Sequence, residues 1–238
     1  MTVIETITVP RHLRGYPGVA FGGCIAGMLA GRLAAKTVRV DFRRPTPVDV
    51  PVGLTDTADG GAVLTGADGV LAVATPDELA LEVPDPPSRD EASAAAEAYR
   101  AAPPERAADC FGCGLDRTPD TGLRQHCAAV PGRDLVATAL TAGPALADTE
   151  GKLRAELVWG ALDCPGNAAG RLREGAAGGG SDGLTHGTAA PAGAGLLTAG
   201  VICLGPLGER AEAPGGVALA TAGGDLGAIA SALWVDPR

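Results

Sequence analysis

The pattern of secondary-structure signals in this sequence occurs twice. In each half, a segment with helical spacing of apolar residues precedes strand-like segments and a closing hairpin. The hairpins are "GAVLTGADGVLAVATP" and "GVALATAGGDLGAIASALWV", and each has an Asp and Gly turn between apolar strands. A repeat with a period near half of the 238-residue chain predicts two copies of one helix-and-sheet unit packed together, not a solenoid.

The first half begins with "TVIETITV", a strand pattern that Pro10 ends. A helix is predicted from Gly22 to Ala35, where the apolar residues with helical spacing are Ile25, Met28, Leu29 and Leu33. Its many Gly and Ala residues keep this helix slim, so a sheet can wrap closely around it. In "TVRVDFRRPTPVDVPVGL" the alternation predicts a strand that continues, at its prolines, as an edge or irregular strand.

A proline-rich segment, "PDPPSRDEASAAAEAYRAAPPERA", separates the two halves and contains a short helical pattern. Ser88 and Glu91 have the spacing of a capping box at the start of this helix. We therefore predict an N-terminal unit over residues 1–84, a linker with a short helix over 85–108, and a C-terminal unit over 109–238.

The second half repeats the order of the first. A hairpin is predicted around Pro131-Gly132 and a helix from Lys152 to Ala169. The following stretch "GAAGGGSDGLTHG" is predicted as a flexible surface loop, because it lacks the lysine and the preceding strand of a phosphate loop. The later strands complete an α+β fold, in which a curved antiparallel sheet wraps around a central helix in each unit.

Composition excludes several classes of function. The net charge of −9 and the 3% of aromatic residues argue against binding to nucleic acid, which requires clustered cations and stacking aromatics. No window approaches the roughly 20 apolar residues that span a bilayer, and the first residues lack the pattern of an export signal. We expect no membrane association, a cytoplasmic location and six reduced cysteines.

Four segments carry a resemblance to one superfamily. "FGGCIAGMLAG" and "VDFRRPTPVDVPVGL" resemble the start of the central helix and the strand after it in hotdog-fold acyl-CoA thioesterases. "CFGCGLDRTPDTGLR" and "LVWGALDCPG" resemble the opening segment and the central helix of thioesterase-like hotdog domains. The likeness covers most of both halves, and the order of the motifs is its most specific feature. It implies a tandem, or double, hotdog, in which one chain supplies both halves of what is usually a dimer.

The resemblance also implies a catalytic site. Such thioesterases use backbone N–H groups at the start of one central helix to polarise the thioester carbonyl, and an acid on the facing helix as base or nucleophile. Here the first helix has Gly22 and Gly23, whereas the second has Asp163. Ala30 stands where the first helix would carry its acid, and Arg154-Ala155-Glu156 stands where the second would carry its glycines. The resemblance therefore implies one composite site, made by Gly22, Gly23 and Asp163.

A second alignment of the halves is open. Matching the two "AGRL" segments, at Ala30 and Ala169, would place Asp163 opposite Cys24, at the start of its own helix. Asp163 would then be an acid stabilised by the helix dipole, with no catalytic duty.

Other polar groups are weaker candidates. His12 precedes the Gly22 helix and is a candidate for substrate binding. Arg43 and Arg44, with Arg11 and Arg14 nearby in the sequence, are candidates for binding the phosphates of coenzyme A, although arginines on an exposed strand are usually only solvated.

The cysteines raise the question of a metal. Cys110 and Cys113 form a CxxC, and His126, Cys127 and Cys164 could in principle complete a zinc site. A zinc ribbon needs a second close-spaced pair, and the adjacent His126 and Cys127 suit tetrahedral ligation poorly. We therefore expect a turn with small buried thiols and no metal.

Three functions remain. The first is hydrolysis of an acyl-CoA or acyl-carrier-protein thioester, with no cofactor beyond the substrate. The second is a hotdog protein that binds an acyl thioester or a protein partner without turnover. The third is a dehydratase, which would need an Asp and His pair in one site, whereas no histidine accompanies Asp163 on its helix. The superfamily resemblance also implies that the tandem chain can form a homodimer.

Overall fold

The computed structural model describes residues 5–79, 83, 85–103, 109–133, 135–177, 184–191, 199–204, 215–221 and 223–235. The helices in this part of the chain are α1 (Gly22–Ala30), α2 (Arg89–Ala101) and α3 (Ala155–Ala177). The first half contributes the strands β1 (Glu5–Thr8), β2 (Val38–Phe42), β3 (Pro51–Asp56), β4 (Ala62–Gly66) and β5 (Gly69–Pro76). The second half contributes β6 (Ala128–Ala129), β7 (Val136–Thr141), β8 (Leu184–Pro191), β9 (Ala199–Leu204), β10 (Gly215–Thr221) and β11 (Leu226–Val235).

These strands form one antiparallel sheet in the order β1-β3-β4-β5-β2-β8-β11-β10-β9-β7-β6. Five strands of each half match in order outward from the centre, where β2 pairs with β8, and β6 is an additional strand beyond β7 in the second half. The central register sets Val38 opposite Ala189 and Val40 opposite Gly187. Apart from β6, the sheet therefore has an approximate internal twofold symmetry, as the sequence repeat predicts.

The core lies between this sheet and the two central helices. Helix α1 packs on β2, β4 and β5, while α3 packs on β7, β9, β10 and β11. The deeply buried side chains include Ile25 and Leu29 of α1, Val40 of β2, and Leu157 and Leu162 of α3. Burial of each such side chain contributes about 1.5–3 kcal/mol, so the packing of α1 and α3 on the sheet dominates the stability.

Helix α1 begins as predicted at Gly22 and ends earlier than predicted, at Ala30. Gly31 ends the helix, and its N–H donates to the carbonyl of Gly27. The next residue, Arg32, pairs with Asp56 and Glu5 on the neighbouring strands. The chain therefore turns toward the sheet before Ala35.

Helix α2 confirms the predicted helix in the segment between the halves. Ser88 accepts a hydrogen bond from the Glu91 N–H, and the Glu91 carboxylate accepts one from the Ser88 N–H, so the capping box is complete. Ala92 and Ala95 of this helix are buried against Leu135 and Ala137 of the second half. The helix is thus a packed element of the second half.

One prediction about strands holds in part, and another is wrong. The segment after β2 is irregular at its prolines, but β3 lies between β1 and β4 rather than at an edge; Pro51 is tolerated because it is the first residue of the strand. The predicted loop "GAAGGGSDGLTHG" overlaps β8, which pairs with β2 and β11, so the part from Leu184 onward is a central strand. Its residues 178–183 lie outside the described residues.

Candidate active site

Helices α1 and α3 cross with their backbones in close contact. A Cβ atom placed on Gly23 would lie 2.5 Å from the Cα of Gly160, and one on Gly27 would lie 2.6 Å from the carbonyl oxygen of Glu156. Gly23, near the start of α1, contacts Gly160, whereas Gly27, one turn later, contacts Glu156, which precedes Gly160 on α3. The two helices are therefore antiparallel. The glycines of α1 are required at this crossing because a side chain would push the helices apart.

This antiparallel crossing brings Asp163 to the start of α1. The N–H of Gly23 donates to Oδ2 of Asp163 at 2.7 Å. Phe21, which precedes the helix, provides no side-chain cap, so the carboxylate of α3 takes that role for one of the unpaired N–H groups of α1. The positive end of the α1 dipole also favours a negative charge at this position.

The contacts between α1 and α3 show which residues of the two halves correspond. Gly23 and Gly27 correspond under the pseudo-twofold to Glu156 and Gly160, and the same offset matches Ala30 with Asp163. The alternative match of the two "AGRL" segments is therefore wrong. Asp163 lies in the third turn of α3, well after its start at Ala155, and only its contact with α1 places it at a helix N-terminus.

The surroundings of Asp163 favour its protonated form. Burial raises the pKa of its carboxyl to about 7, and the neighbouring Cys110 also raises it, whereas the hydrogen bond from Gly23 lowers it. The residue nevertheless retains partial exposure to solvent. A carboxyl with this pKa can accept and return a proton near neutral pH.

A second N–H group lies beside this carboxylate. A Cβ atom on Gly22 would lie 3.3 Å from Oδ2 of Asp163 and 3.8 Å from the Cζ atom of Phe42. Among the described residues, the Gly22 N–H has no hydrogen-bond partner, and Gly22 is partly exposed. The start of α1 thus offers one N–H group to a bound molecule while Gly23 holds Asp163.

Gln125 supports α3 next to this position and was not singled out from the sequence. Pro165 lies inside α3, and because it has no N–H, the carbonyl of Ala161 one turn earlier loses its helical donor. The Nε2 atom of the buried Gln125 donates to this carbonyl at 2.6 Å. A proline in a predicted helix is the sequence signal for such a partner, but it does not identify which residue provides the donor.

Three thiols also meet beside Asp163. The Sγ atoms of Cys110, Cys113 and Cys164 all lie within 4.8 Å of one another. Hydrogen bonding with the Cys113 and Cys164 thiols lowers the pKa of the Cys110 thiol, whereas burial raises it.

Two further cysteines whose side chains the structure describes lie outside this cluster. Cys24 and Cys127 are buried, and burial raises the pKa of both thiols. The five cysteines with described side chains are free of disulfide bonds.

The candidate substrate-binding residues lie at the surface. His12 is exposed in a short 3-10 helix, Arg11–Leu13. Arg43 is 54% exposed and lies 4.0 Å from Asp41, whereas Arg44 donates to the carbonyl of Val70 at 3.0 Å. Arg43 and Arg44 are the two residues that follow Phe42 in the chain.

Arg11 and Arg14 are engaged in ion pairs. Arg11 contacts Asp49 at 2.8 Å, and Arg14 is paired with Asp109. No described helix combines the length and the apolar character needed to cross a membrane.

Comparison with known proteins identifies the fold. No family model and no curated protein matches the sequence. Among solved structures, the tesB protein of Mycobacterium avium subspecies paratuberculosis is similar at a TM-score of 0.62 and 16% identity, over 98% of this chain and 92% of that one. Acyl-CoA thioesterase II TesB2 of Mycobacterium marinum is similar at 0.53 and 13%, over 94% and 92%.

A third similar structure is a conserved protein with a hot dog fold from Alicyclobacillus acidocaldarius. It has a TM-score of 0.54 and 12% identity, over 98% of this chain and 93% of that one. At such low identity the likeness concerns the arrangement of the chain. With two halves of matching strand order in one sheet and two antiparallel central helices, the chain has the double hotdog fold.

Proposed function

We propose that the protein hydrolyses an acyl thioester at a single composite site formed by Gly22, Gly23 and Asp163. The observation that carries this proposal is the hydrogen bond of 2.7 Å from the Gly23 N–H to Asp163, with the unpartnered Gly22 N–H beside it. A base and a backbone N–H donor thereby face the same small volume. These are the two groups that ester-type hydrolysis requires.

In the proposed reaction, Asp163 acts as a general base. It removes a proton from a water molecule as the water oxygen forms a bond to the thioester carbonyl carbon. The Gly22 N–H and the positive end of α1 stabilise the negative charge that develops on the carbonyl oxygen. Collapse of the tetrahedral intermediate breaks the carbon–sulfur bond, and the departing thiolate takes the proton from Asp163.

Gly22 and Gly23 have different tasks in this scheme. Both were expected to polarise the carbonyl, but the Gly23 N–H is directed at Asp163. We therefore assign the contact with the oxyanion to Gly22 and the orientation of the base to Gly23. A side chain on Gly22 would crowd both the carboxylate and the substrate, so the scheme also accounts for a glycine at that position.

The carrier of the acyl group is proposed from surface charge. Arg43 offers an exposed guanidinium one residue beyond Phe42, whose ring approaches Gly22. A phosphate of coenzyme A, or of the prosthetic group of an acyl carrier protein, suits such a cation. His12 and Arg44 belong to the same proposed binding surface.

The test is the release of free thiol from a panel of short, long and aromatic acyl-CoA substrates. We expect Asp163→Asn to reduce turnover by about 10²–10⁴-fold, the usual contribution of a general base. Asparagine retains an oxygen that accepts from the Gly23 N–H, so this variant keeps the cap on α1. Thermal unfolding of the variant verifies that the loss is chemical.

Glu156→Gln is the matched control. Glu156 lies on the same helix two turns away from Asp163, facing Gly27, and we expect its variant to hydrolyse thioesters like the wild type. Equal activity of Asp163→Asn and wild type would remove Asp163 from the mechanism. Absence of hydrolysis across the panel, with acyl-CoA still raising the melting temperature, would favour a protein that binds thioesters without turnover.

A further inference from the structure

The strongest unassigned feature is the cluster of three thiols formed by Cys110, Cys113 and Cys164. The first two belong to the turn that opens the second half, and the third follows Asp163 on α3. We infer that this cluster is a binding site for a thiolate-preferring divalent cation, and we assign zinc to it. This inference is independent of the proposed hydrolysis.

The distances fit a zinc ion with modest adjustment. A Zn–S bond of about 2.3 Å in tetrahedral geometry sets sulfur atoms about 3.8 Å apart. The three Sγ atoms lie within 4.8 Å of one another, so their separations need to contract by no more than roughly 1 Å. Cysteine χ1 rotations of roughly 20°, which stay within one rotamer well, supply such shifts. The three thiols would lose their protons to the buffer as the metal binds.

The turn is shaped around these sulfur atoms. A Cβ atom on Gly112 would collide with the Sγ of Cys164 and the ring of Phe21, so only glycine allows α3 to approach the turn this closely. The N–H of Gly114 donates to the carbonyl of Cys110 at 2.8 Å and closes the turn.

The fourth position of a tetrahedral zinc remains for a ligand from solvent. All three cysteines are partly exposed, so a water molecule can reach the ion. Soft thiolate ligands favour zinc over magnesium or calcium, which prefer oxygen.

The sequence alone predicts no metal at these cysteines. A CxxC without a second close-spaced pair predicts a turn with buried thiols. The fold supplies the third sulfur from α3, 51 residues after Cys113 in the numbering. A bound ion would join the turn to α3 at the residue adjacent to Asp163, and would thereby stabilise the position of that carboxylate.

The test uses the full chain, reduced and stripped of metal with a chelator. Native mass spectrometry measures the zinc stoichiometry, and titration with Co²⁺ reports thiolate ligation through sulfur-to-cobalt charge-transfer absorption in the near ultraviolet. We expect one ion per chain, strong charge-transfer bands, and a rise in melting temperature on zinc addition. Neither measurement involves thioester hydrolysis, so failure of the metal site and failure of the proposed function are distinguishable.

The variants are Cys110→Ser, Cys164→Ala and the control Cys24→Ala. Cys24 is a buried thiol of the same core that lies outside the cluster. We expect the cluster variants to lose at least tenfold in zinc affinity and to lose charge-transfer intensity, while the control binds like the wild type. The metal assignment is overturned by a wild type that binds no zinc at micromolar concentration, or by equal binding in Cys164→Ala. The titration of the wild type can refute the zinc assignment by itself, so the test does not depend on the folding of the variants.

Discussion

The side-chain amide of Gln125 donates to the backbone carbonyl of Ala161 at 2.6 Å, at the turn of α3 where Pro165 removes the helical donor. A long-range side chain thus completes a hydrogen bond that the helix cannot make for itself. The residues that follow Ala161 on α3 include Asp163 and Cys164. The geometry of both the candidate base and the thiol cluster therefore depends on this contact.

This relationship predicts a measurable coupling. Gln125→Leu leaves the Ala161 carbonyl buried without a donor, and we expect it to lower the free energy of unfolding by about 1–3 kcal/mol. In a Pro165→Ala background residue 165 regains its N–H, so the same substitution should cost less than half as much. Urea denaturation of the four proteins of this double-mutant cycle measures the difference. Equal costs in both backgrounds would show that Gln125 does not compensate for the proline.

The close helix crossing predicts a contrast between two glycines of the same segment. Gly27→Ala would place a Cβ 2.6 Å from the Glu156 carbonyl oxygen, so we expect a loss of about 1–3 kcal/mol from overpacking. Gly31→Ala is the control, because its Cβ would meet only the carbonyl oxygens of Gly27 at 3.3 Å and Met28 at 3.7 Å, outside the contact with α3. Thermal or urea unfolding of both variants checks this. A neutral Gly27→Ala would contradict the crossing described here.

The pKa of Asp163 predicts the pH dependence of the proposed hydrolysis. With a pKa of about 7 the base is protonated and inactive below that pH and ionised above it. We therefore expect kcat/KM of the chelator-treated protein to rise about tenfold per pH unit below pH 7 and to level off above it. The residual activity of Asp163→Asn should not show this rise of kcat/KM with pH. A wild-type profile that is flat between pH 5 and 8 would exclude Asp163 as the titrating base.

Arg43 predicts a difference between substrates. If its guanidinium binds a phosphate of coenzyme A, Arg43→Ala should raise KM for an acyl-CoA by up to about tenfold, the loss of one exposed charge-assisted contact. The same acyl group on N-acetylcysteamine has no phosphate, so its KM should not change. Arg89→Ala on α2 serves as the control, since this exposed arginine bonds Thr141. Parallel effects on both substrates would assign Arg43 a role other than phosphate binding.

The elements that local signals specify were predictable from the sequence. The hairpin of β4 and β5 and the capping box of Ser88 and Glu91 each depend on residues close in the chain. Strand β8 was missed because its glycines and threonines resemble a loop, and its pairing with β2 and β11 comes from distant residues. The local sequence pattern of a strand does not identify the distant strands with which it pairs.

The candidate site was likewise predictable from the sequence only in part. Gly22, Gly23 and Asp163 were selected because the resemblance supplies a pattern for two facing helices, and the structure brings them together. Cys164 was considered as a partner of Cys110 and Cys113 and set aside, and Gln125 beneath Ala161 was not singled out. These contacts depend on how the opening turn of the second half docks on α3, which the spacing of residues does not encode.

The strands that bound the sheet have a consequence for assembly. Of the eleven described strands, the outermost are β1 and β6, with four and two described residues, and β2 pairs with β8 at the centre. Short rim strands disfavour strand-by-strand growth into fibres. A second copy of this chain is therefore expected to associate through side chains, where shape and charge can limit assembly to a closed pair.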